Sequence, residues 1–345
     1  MYKLLGIPEQ VGTLSKPVDD IYIFMLAVSL FFTLLVVVLV VVFSIQYRKR
    51  ENRPPIPVHG NLPLELIWTG LPLLLTLFMF GWGTWIYFKQ MHIPDGAKEI
   101  FVVGKQWMWK IQHGEGPREM NELHVPINQP IKLTMTSEDV LHSFYIPVVR
   151  MKADTVPGKY TFMWFEATKP GKYHLFCAEF CGTKHSEMIG WVYAMEPEDY
   201  QKWLNERIAT SSTALVFSNG RDSKNTDPVQ PTRTVSTQTF TLANDETPEA
   251  RGERLFTELK CNSCHSATSG QMGPDLSGLF GKEVSFEQDR SKIADENYIR
   301  ESILNPSERI TKGYNALMPT YKGQIDEEQI LSLIAYIKNL TEQKS

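Results

Sequence analysis

Residues 21–47 have the sequence IYIFMLAVSLFFTLLVVVLVVVFSIQY, in which no side chain is charged. An apolar run of that length forms a helix that can cross a bilayer with room to tilt. A second apolar run, at about 64–88, has Glu65 as its one charged residue, and its Pro72 and several glycines are tolerated in membrane helices. Core helices of soluble domains seldom reach this length, so the sequence predicts a transmembrane hairpin of two helices within residues 1–90.

The charges that flank the two spans predict their orientation. The short loop between the spans contains four basic residues: Arg48, Lys49, Arg50 and Arg53. The positive-inside rule therefore places this loop in the cytoplasm and everything after residue 90 outside. The first run is also too long, and followed by the wrong residues, for a cleaved signal peptide. The whole chain has a net charge of -4 and no polybasic block, so no nucleic-acid partner is expected.

Short segments rich in aromatic and β-branched residues follow the hairpin, between residues 91 and 208. These segments are EIFVV, WMWKI, PIKLTM, YTFMWF, KYHLF and IGWVYAM. Gly- and Pro-containing turns separate several of them, and such a succession of short strands is typical of an all-β sandwich or barrel. PEDYQKWLNERI, at residues 197–208, predicts a short helix that closes this domain.

The composition then changes twice. Residues 209–243 are rich in Ser, Thr, Asn, Gln, Asp and Pro, which leaves little apolar surface to bury and predicts a flexible linker. Residues 244–345 form a third domain, in which Thr247 is suited to cap a helix that starts at Pro248. Apolar residues recur at helical spacing near 327–340. The third domain is therefore predicted to be all-α.

The third domain carries a haem-attachment motif, C-N-S-C-H, at residues 261–265. In this motif Cys261 and Cys264 form thioethers with the haem vinyl groups, and His265 binds the iron from one face. A redox dithiol would need a βαβ context, which does not precede the motif. Zinc would need a second ligand pair, and His265 is the only histidine in this domain. A covalent c-type haem is therefore expected.

The sixth iron ligand must come from a distant part of the third domain. Met318, in LMPTY just before the last helix, is the favoured candidate. Met272 is the only other methionine in the domain, and it follows His265 too closely to reach the opposite face of the ring. An isolated methionine is more often a packing residue, but these two are the only candidates.

A second cysteine pair lies in CAEFCGTKHSEM, residues 177–188, at the end of a predicted strand. Soft sulfur ligands combined with imidazole favour copper. Two cysteines suggest that two thiolates bridge two coppers, each with one imidazole and one weak ligand. His185 lies within the segment, and the second imidazole is expected from His142 in SEDVLHSF. A Cys177–Cys181 disulfide is the alternative, which the joint presence of the other ligands disfavours.

SEDVLHSFYIP and CAEFCGTKHSEM together resemble the binuclear copper (Cu-A) domain of subunit II of haem–copper cytochrome c oxidases. The resemblance covers roughly residues 15–208 and implies a cupredoxin-like Greek-key barrel behind a two-helix anchor. The third domain resembles class I cytochromes c, such as the one fused to subunit II in some bacterial oxidases. In that family a proline at the position of Pro274 helps to orient the iron-binding histidine, here His265.

The resemblance also implies a copper ligand set. Two thiolates would bridge the coppers, each copper would take one imidazole, and a thioether and a backbone carbonyl would be the weak ligands. In this sequence those residues are Cys177, Cys181, His142, His185, Met188 and Glu179, the last through its carbonyl. The carboxylate of Glu179 would also reach a magnesium ion shared with subunit I.

Two further residues gain roles from the resemblance. Trp107, in Q-W-M-W, matches the tryptophan at which electrons arrive from cytochrome c, although Met108 stands where the family usually has tyrosine. Glu65, in L-E-L-I-W-T, matches a glutamate at the mouth of a proton channel. The simpler alternatives are strand packing for Trp107 and a place among the lipid headgroups for Glu65.

The expected function is electron transfer in respiration. No His-rich helices able to hold an oxygen-reducing centre are present, so that chemistry would belong to another polypeptide. We expect subunit II of a proton-pumping terminal cytochrome c oxidase, with electrons passing from haem c to Cu-A and on to the haem of subunit I. Its alternatives are the copper subunit of a nitric oxide reductase and a stand-alone anchored carrier. A quinol-oxidising relative would lack the copper ligands.

The expected partners and location follow from the same resemblance. Subunit I, subunit III, and an external cytochrome c or cytochrome bc complex as donor would assemble in a bacterial inner membrane. The copper and haem domains would face the periplasm. Residues 244–345 carry twelve Lys and Arg against seventeen Asp and Glu, so this domain is acidic. A tether to the copper domain would supply the effective concentration that charge steering otherwise provides.

Overall fold

The structure is a computed structural model, and it describes most of the 345-residue chain. The described residues are 6–49, 60–218, 246–265, 272–287 and 290–340. The chain divides into two compact units: Met1–Pro94 with Val148–Arg150, and Asp95–Pro147 with Met151–Ser345.

The first unit contains the two apolar helices, α1 (Ser15–Gln46) and α2 (Leu62–Met91). Both are long and apolar enough to cross a membrane, and their most apolar stretches are not buried inside the protein. Asn61 caps α2 by accepting a hydrogen bond from the Leu64 backbone N–H at 3.2 Å. The ring of Phe24 lies 5.8 Å from that of Phe78, which joins the two helices. Both predicted spans are confirmed.

A buried ion pair lies at the start of α1. The Arg150 guanidinium donates to both carboxylate oxygens of Asp19, at 2.7 and 3.0 Å, and Gln10 adds a bond of 2.8 Å. Asp19 is only 3% exposed, so this carboxylate needs its partners. Ser15 in addition donates to the Val148 carbonyl at 2.8 Å. These contacts hold residues 148–150 against the first turn of α1.

The second unit begins with a sandwich of two five-stranded sheets, which together with helix α3 (Pro197–Ser218) we call the β-domain. One sheet has the order β3-β2-β1-β5-β8 and the other β4-β10-β9-β6-β7. The strands are β1 (Lys98–Lys105), β2 (Met108–His113), β3 (Arg118–Met120), β4 (Glu122–Pro126), β5 (Ile131–Ser137), β6 (His142–Ile146), β7 (Met151–Thr155), β8 (Thr161–Phe165), β9 (Gly171–Cys177) and β10 (Ile189–Met195). All six predicted strands are present, and the all-β sandwich is confirmed.

The core between the two sheets includes a large aromatic contact. Trp109 on β2 is fully buried, and its ring lies 4.9 Å from that of Phe144 on β6 in the opposite sheet. The same indole lies 5.8 Å from the His142 ring. Packing between the sheets therefore fixes the strand that carries a predicted copper ligand.

Helix α3 is longer than the sequence predicted. We expected it to end at residue 208, but it continues to Ser218, into what was predicted as the start of a linker. Residues 209–218 contain no Gly or Pro, so nothing in this stretch breaks the helix. The rest of the predicted linker, 219–243, lies outside the described residues.

The remainder of the second unit, residues 246–340, is the C-terminal helical region. It contains α4 (Pro248–Glu258), α5 (Glu296–Leu304) and α6 (Glu327–Asn339), with a short ladder of β11 (Glu283–Ser285) and β12 (Ser291–Ile293). The predicted cap at Thr247 is present, since its side chain accepts from the Ala250 N–H at 3.2 Å, and Asp326 forms a capping box at the start of α6. A Cβ at Gly252 would lie 2.0 Å from the Ser332 carbonyl oxygen, so only glycine allows α4 and α6 to cross so closely.

Candidate metal and haem sites

Three predicted copper ligands converge at one end of the β-domain. The ligand atoms of His142, Cys177 and Cys181 all lie within 4.8 Å of one another, and all three residues are buried. His185 Nδ1 lies 3.5 Å from the Cys181 sulfur, and the Met188 sulfur lies 3.8 Å from it. Both cysteines are free thiols, 3.8 Å apart, so the alternative of a disulfide is not realised.

Sheet pairing places these ligands. His142 is the first residue of β6 and Cys177 the last of β9, and the two strands are antiparallel neighbours, with Phe144 opposite Cys177. After Cys177 the chain turns back on itself, and the Cys177 N–H donates to the Met188 carbonyl at 3.2 Å. Within this loop the Glu179 carbonyl oxygen lies 3.2 Å from the Cys177 sulfur. The structure therefore gathers all six predicted copper-site residues.

Asp139 orients the first histidine, a role that the sequence reasoning missed. Its carboxylate lies 2.9 Å from His142 Nε2 and also accepts the Gln106 backbone N–H at 2.8 Å. Because a carboxylate only accepts, Nε2 carries the proton and the Nδ1 lone pair faces the Cys177 sulfur, 3.9 Å away. Burial opposes ionisation of Asp139, but these hydrogen bonds outweigh it and lower its pKa. In the sequence, this role was indicated only by the presence of an acidic residue three positions before the histidine.

The two thiols differ in acidity. Burial works against ionisation of Cys177, but hydrogen bonding with His142 and with backbone groups lowers its pKa to about 6. Burial, together with the nearby Cys177 thiolate, raises the pKa of Cys181 to about 12. The pair on its own therefore holds one negative charge near neutral pH, and a cation between the sulfurs would favour the second. Two thiolates, two imidazoles and a thioether fit copper.

Trp107 packs against the loop within residues 177–188, which we call the copper loop. A Cβ built on Gly182 would lie 3.3 Å from the Trp107 ring, and this glycine has a φ of +119°, which few other residues adopt. The preceding Gln106 donates from Nε2 to the Cys181 carbonyl at 2.8 Å. The structure therefore brings this predicted residue to the metal-binding loop.

The haem motif borders a cavity of about 560 Å³ in the C-terminal helical region. Cys261, Cys264, His265 and Met318 all line it. His265 Nδ1 donates to the Pro274 carbonyl at 2.8 Å, because a carbonyl only accepts. That bond leaves the Nε2 lone pair available to an iron atom, and it agrees with the role expected for Pro274.

Both methionine candidates line this cavity, but their surroundings differ. Met318 packs against the buried apolar cluster of the region, whereas Met272 is 48% exposed. A ligand held on one side by packing is better placed than an exposed one, which favours Met318. The apolar walls, two cysteines and an available imidazole fit a covalent haem.

Three family models match successive parts of the chain. "Cytochrome C oxidase subunit II, transmembrane domain" matches residues 5–81, and "Cytochrome C oxidase subunit II, periplasmic domain" matches residues 118–194. "Cytochrome c" matches residues 249–341. The chain belongs to the cytochrome c oxidase subunit II family. Its C-terminal helical region is a fused cytochrome c domain.

Several relatives in other organisms are named as the same subunit. "Cytochrome c oxidase subunit 2" of Alkalihalophilus pseudofirmus is 29% identical over 318 residues, which cover 87% of this chain and 82% of the relative. The subunit of the same name from Thermostichus vulcanus is 28% identical and is matched over 61% of this chain and 81% of its own length. The one from Synechocystis is 28% identical over 61% of this chain and 79% of its own length.

Family membership establishes the general function of the chain and its location in a membrane. The chain is a membrane-anchored subunit of a haem–copper terminal oxidase and takes part in electron transfer within that complex. Its two spans precede a periplasmic domain, which agrees with the orientation predicted from the loop charges.

Two further predicted residues, Glu179 and Glu65, have exposed side chains. Among the described residues only His142, Cys177 and Cys181 form a cluster of three potential metal ligands. Glu65 lies in the first turn of α2.

Proposed function

We propose that this subunit II accepts electrons at its cytochrome c domain and passes them on, through its copper site, to subunit I of a proton-pumping oxidase that reduces oxygen to water. Covalent haem c and a dicopper Cu-A centre, when bound, supply the one-electron carriers. The observation that carries the proposal is the convergence of His142, Cys177 and Cys181, with His185 and Met188 beside them.

The copper donors divide naturally between two metal ions. The two cysteine sulfurs lie at the centre, 3.8 Å apart, with His142 beside Cys177 and His185 beside Cys181. The Glu179 carbonyl lies next to Cys177, and the Met188 sulfur lies next to Cys181. Each half of the site therefore offers one imidazole and one weak ligand, which is the donor set of a nearly symmetric pair.

In the cytochrome c domain, Cys261 and Cys264 would hold the haem covalently, and His265 and Met318 would bind its iron. The hydrogen bond from His265 to Pro274 fixes the orientation of the imidazole ring. Trp107, which packs on the copper loop at Gly182, is the place at which electrons reach the copper site.

The remaining assignments concern the partners and the membrane. Subunit I, subunit III, and a cytochrome c or cytochrome bc complex as donor surround this chain in a bacterial inner membrane, with the copper and haem domains in the periplasm. Glu65, in the first turn of α2, serves the mouth of a proton channel. A magnesium ion at Glu179 requires further ligands from subunit I.

Metal and haem analysis of the intact, detergent-solubilised chain tests the proposal. We expect two coppers and one covalent haem c per chain, and a single unpaired electron shared by both coppers in the spin resonance spectrum. His185→Asn should destroy this signal. His174→Asn, which changes an exposed histidine on β9, is the matched control and should leave it intact. One copper per chain with a four-line hyperfine pattern would rule out the dicopper centre.

A further inference from the structure

Strand β1 is buried on both of its faces. Ile100 and Val102 are fully buried, and their neighbours Phe101 and Val103, which point to the opposite face, are only 5% and 2% exposed. One face of a strand in a sandwich packs on the core, and the other normally meets water. Another element must therefore cover Phe101 and Val103.

The cytochrome c domain provides this cover. Phe101, Val103 and Tyr160 of the β-domain belong to one continuous cluster of buried apolar side chains that includes Leu331 of α6. Helix α6 has the cytochrome cavity on its other side, which Leu333 and Ile337 line. The same helix is thus a wall of the haem cavity and a contact surface for the sheet.

Four charged side chains lie in this contact and form an alternating ring, which we call the four-charge ring. Glu99 and Lys132 are opposite one another on β1 and β5, while Glu296 and Lys338 lie in the first turn of α5 and the last turn of α6. Glu99 lies 2.8 Å from Lys132 and 3.0 Å from Lys338, and Glu296 lies 3.4 Å and 3.1 Å from the same two lysines. Each charge therefore contacts both charges of opposite sign.

The ring is largely removed from water. The side chains of Glu99, Lys132, Lys338 and Glu296 are 25%, 18%, 17% and 8% exposed. Burial alone would favour the neutral form of Glu99, but the charges of Lys338 and Lys132 outweigh it and lower its pKa to about 2. Displacement of the domain would be penalised, since a shifted contact would leave these largely buried charges without partners.

Directional hydrogen bonds fix the same contact at a second place. The Tyr160 N–H donates to the Asn297 side-chain oxygen at 2.8 Å, and the Asn297 amide returns a bond to the Tyr160 carbonyl at 3.4 Å. Arg300, which also pairs with Glu327, donates to the Gly158 carbonyl at 2.8 Å. These bonds lie at the β8 edge of the sheet, and towards its opposite edge Lys110 on β2 pairs with Glu328 at 2.9 Å.

We propose that the cytochrome c domain works from this one docked position on the outer face of the β3-β2-β1-β5-β8 sheet, and that the four-charge ring selects it. The ring matters for geometry more than for strength, because a buried ion pair contributes little net stability but strongly penalises a wrong partner. A linker alone keeps two domains near each other without fixing their orientation. The docked position is defined by contacts between two domains of this chain, so this proposal does not depend on which redox centre receives the electrons.

Cleavage of the connecting segment tests the docking. A protease recognition site is introduced within residues 219–245 of the full chain, and the detergent-solubilised protein is cut. Gel filtration at physiological ionic strength then measures how much of the cytochrome c domain stays with the anchored fragment. We expect most of it to stay. Separation of the wild-type fragments immediately after cleavage would overturn the proposal.

Charge exchange tests the ring itself. Glu99→Lys with Lys132→Glu keeps the pair within the β-domain and the net charge, but places like charges against Glu296 and Lys338. The fraction retained after cleavage should fall by about tenfold or more. Glu296→Lys with Lys338→Glu breaks the same cross-domain pairs from the other side and should have the same effect.

The fourfold exchange restores the alternation of charge and should restore retention, which separates docking from misfolding of either half. Asp199→Lys with Lys202→Glu is the matched control, because this pair lies exposed on α3 and takes no part in the contact. Retention in either double exchange would overturn the role of the ring. The role of the ring would also be overturned if the fourfold exchange failed to restore retention of the cytochrome c domain while the haem spectrum stayed native.

Discussion

The two candidate redox sites of this subunit II are held in different ways. The copper donors come from two neighbouring strands and one tight loop, and the three central donor atoms lie within 4.8 Å of one another. The haem residues instead line a cavity of about 560 Å³, and the two iron ligands we assign, His265 and Met318, are far apart in sequence. Strand pairing thus places the copper-site donor atoms close together before any metal binds. The helical region instead forms a cavity large enough for a prosthetic group, with the expected haem ligands spread around its wall.

The difference predicts how each site fails when one ligand is lost. In the proposed dicopper centre both metals would share the two cysteine sulfurs, so the centre would depend on each of them. A covalently attached group depends on its thioethers to stay bound and on its axial ligands to set its spectrum and potential. The copper site should therefore collapse as a unit, and the haem site should change in steps.

The largest effect is expected from Cys177→Ser. One remaining thiolate cannot form a doubly bridged pair, so the dinuclear centre should be lost, leaving at most one copper per chain. Copper analysis and spin resonance of the intact chain measure this, and the haem spectrum should be unchanged. Two coppers with a shared electron in this variant would show that Cys177 is not a bridging ligand.

Met318→Leu should produce a partial failure in the other site. We expect loss of methionine ligation with the haem still attached, because Cys261 and Cys264 are untouched. The absorption band of methionine-ligated ferric haem reports the change, and alkaline pyridine spectra report the attached haem. Met272→Leu is the matched control and should keep the band. The opposite pattern would reassign the sixth ligand to Met272.

The two cysteine motifs, CAEFCGTKHSEM and CNSCH, could be recognised in the sequence because each is local, but parts of the scaffold could not. β6, which begins at His142, was not predicted, since HSFYI opens with two polar residues and lacks a clear alternation. Its place in the sheet comes from long-range pairing with β7 and β9. Asp139 was within a quoted motif, yet its contact with His142 depends on the folded turn.

The contact of the cytochrome c domain with the sheet was visible in the sequence only indirectly. EIFVV is apolar at four successive positions, which indicates a strand covered on both faces, but it does not say by what. Glu99 and Lys338 are 239 positions apart in sequence, and nothing in either local pattern links them. Linker composition could suggest only a tether.

A buried acid away from the copper site connects three strands of the β-domain, β2, β3 and β4. Glu119 lies between two histidines, 2.8 Å from His113 Nε2, and is also bonded to His124. Burial raises its pKa, but these hydrogen bonds and charges outweigh burial and lower it from 4.5 to about 2. A carboxylate with a lowered folded-state pKa stabilises the fold above its unfolded pKa, and this contribution is lost as the pH falls from about 4.5 to about 2.

A pKa difference of that size corresponds to about 3 kcal/mol of unfolding free energy. We therefore expect the protection of amides in β2, β3 and β4 against hydrogen exchange, measured relative to their intrinsic exchange rates, to fall over this acid range. Glu119→Gln should speed that exchange at neutral pH and flatten its dependence on pH. Glu122→Gln, which changes an exposed acid on β4, is the control. An unchanged acid profile in Glu119→Gln would mean that other groups determine it.

The smallest effect is expected from Asp139→Asn, and it probes how closely the copper site is prearranged. The amide can still accept from the Gln106 N–H, but it no longer provides the negative charge that keeps the proton on His142 Nε2. Loss of such an outer hydrogen-bond partner typically weakens metal binding by about 10- to 100-fold. We expect that loss in copper affinity, with two coppers still bound at saturation and the shared-electron signal retained. Ser143→Ala, at another buried polar residue on β6, is a control that should leave affinity unchanged. If Asp139→Asn instead abolished the second copper, the carboxylate would be needed to assemble the site and not merely to orient His142.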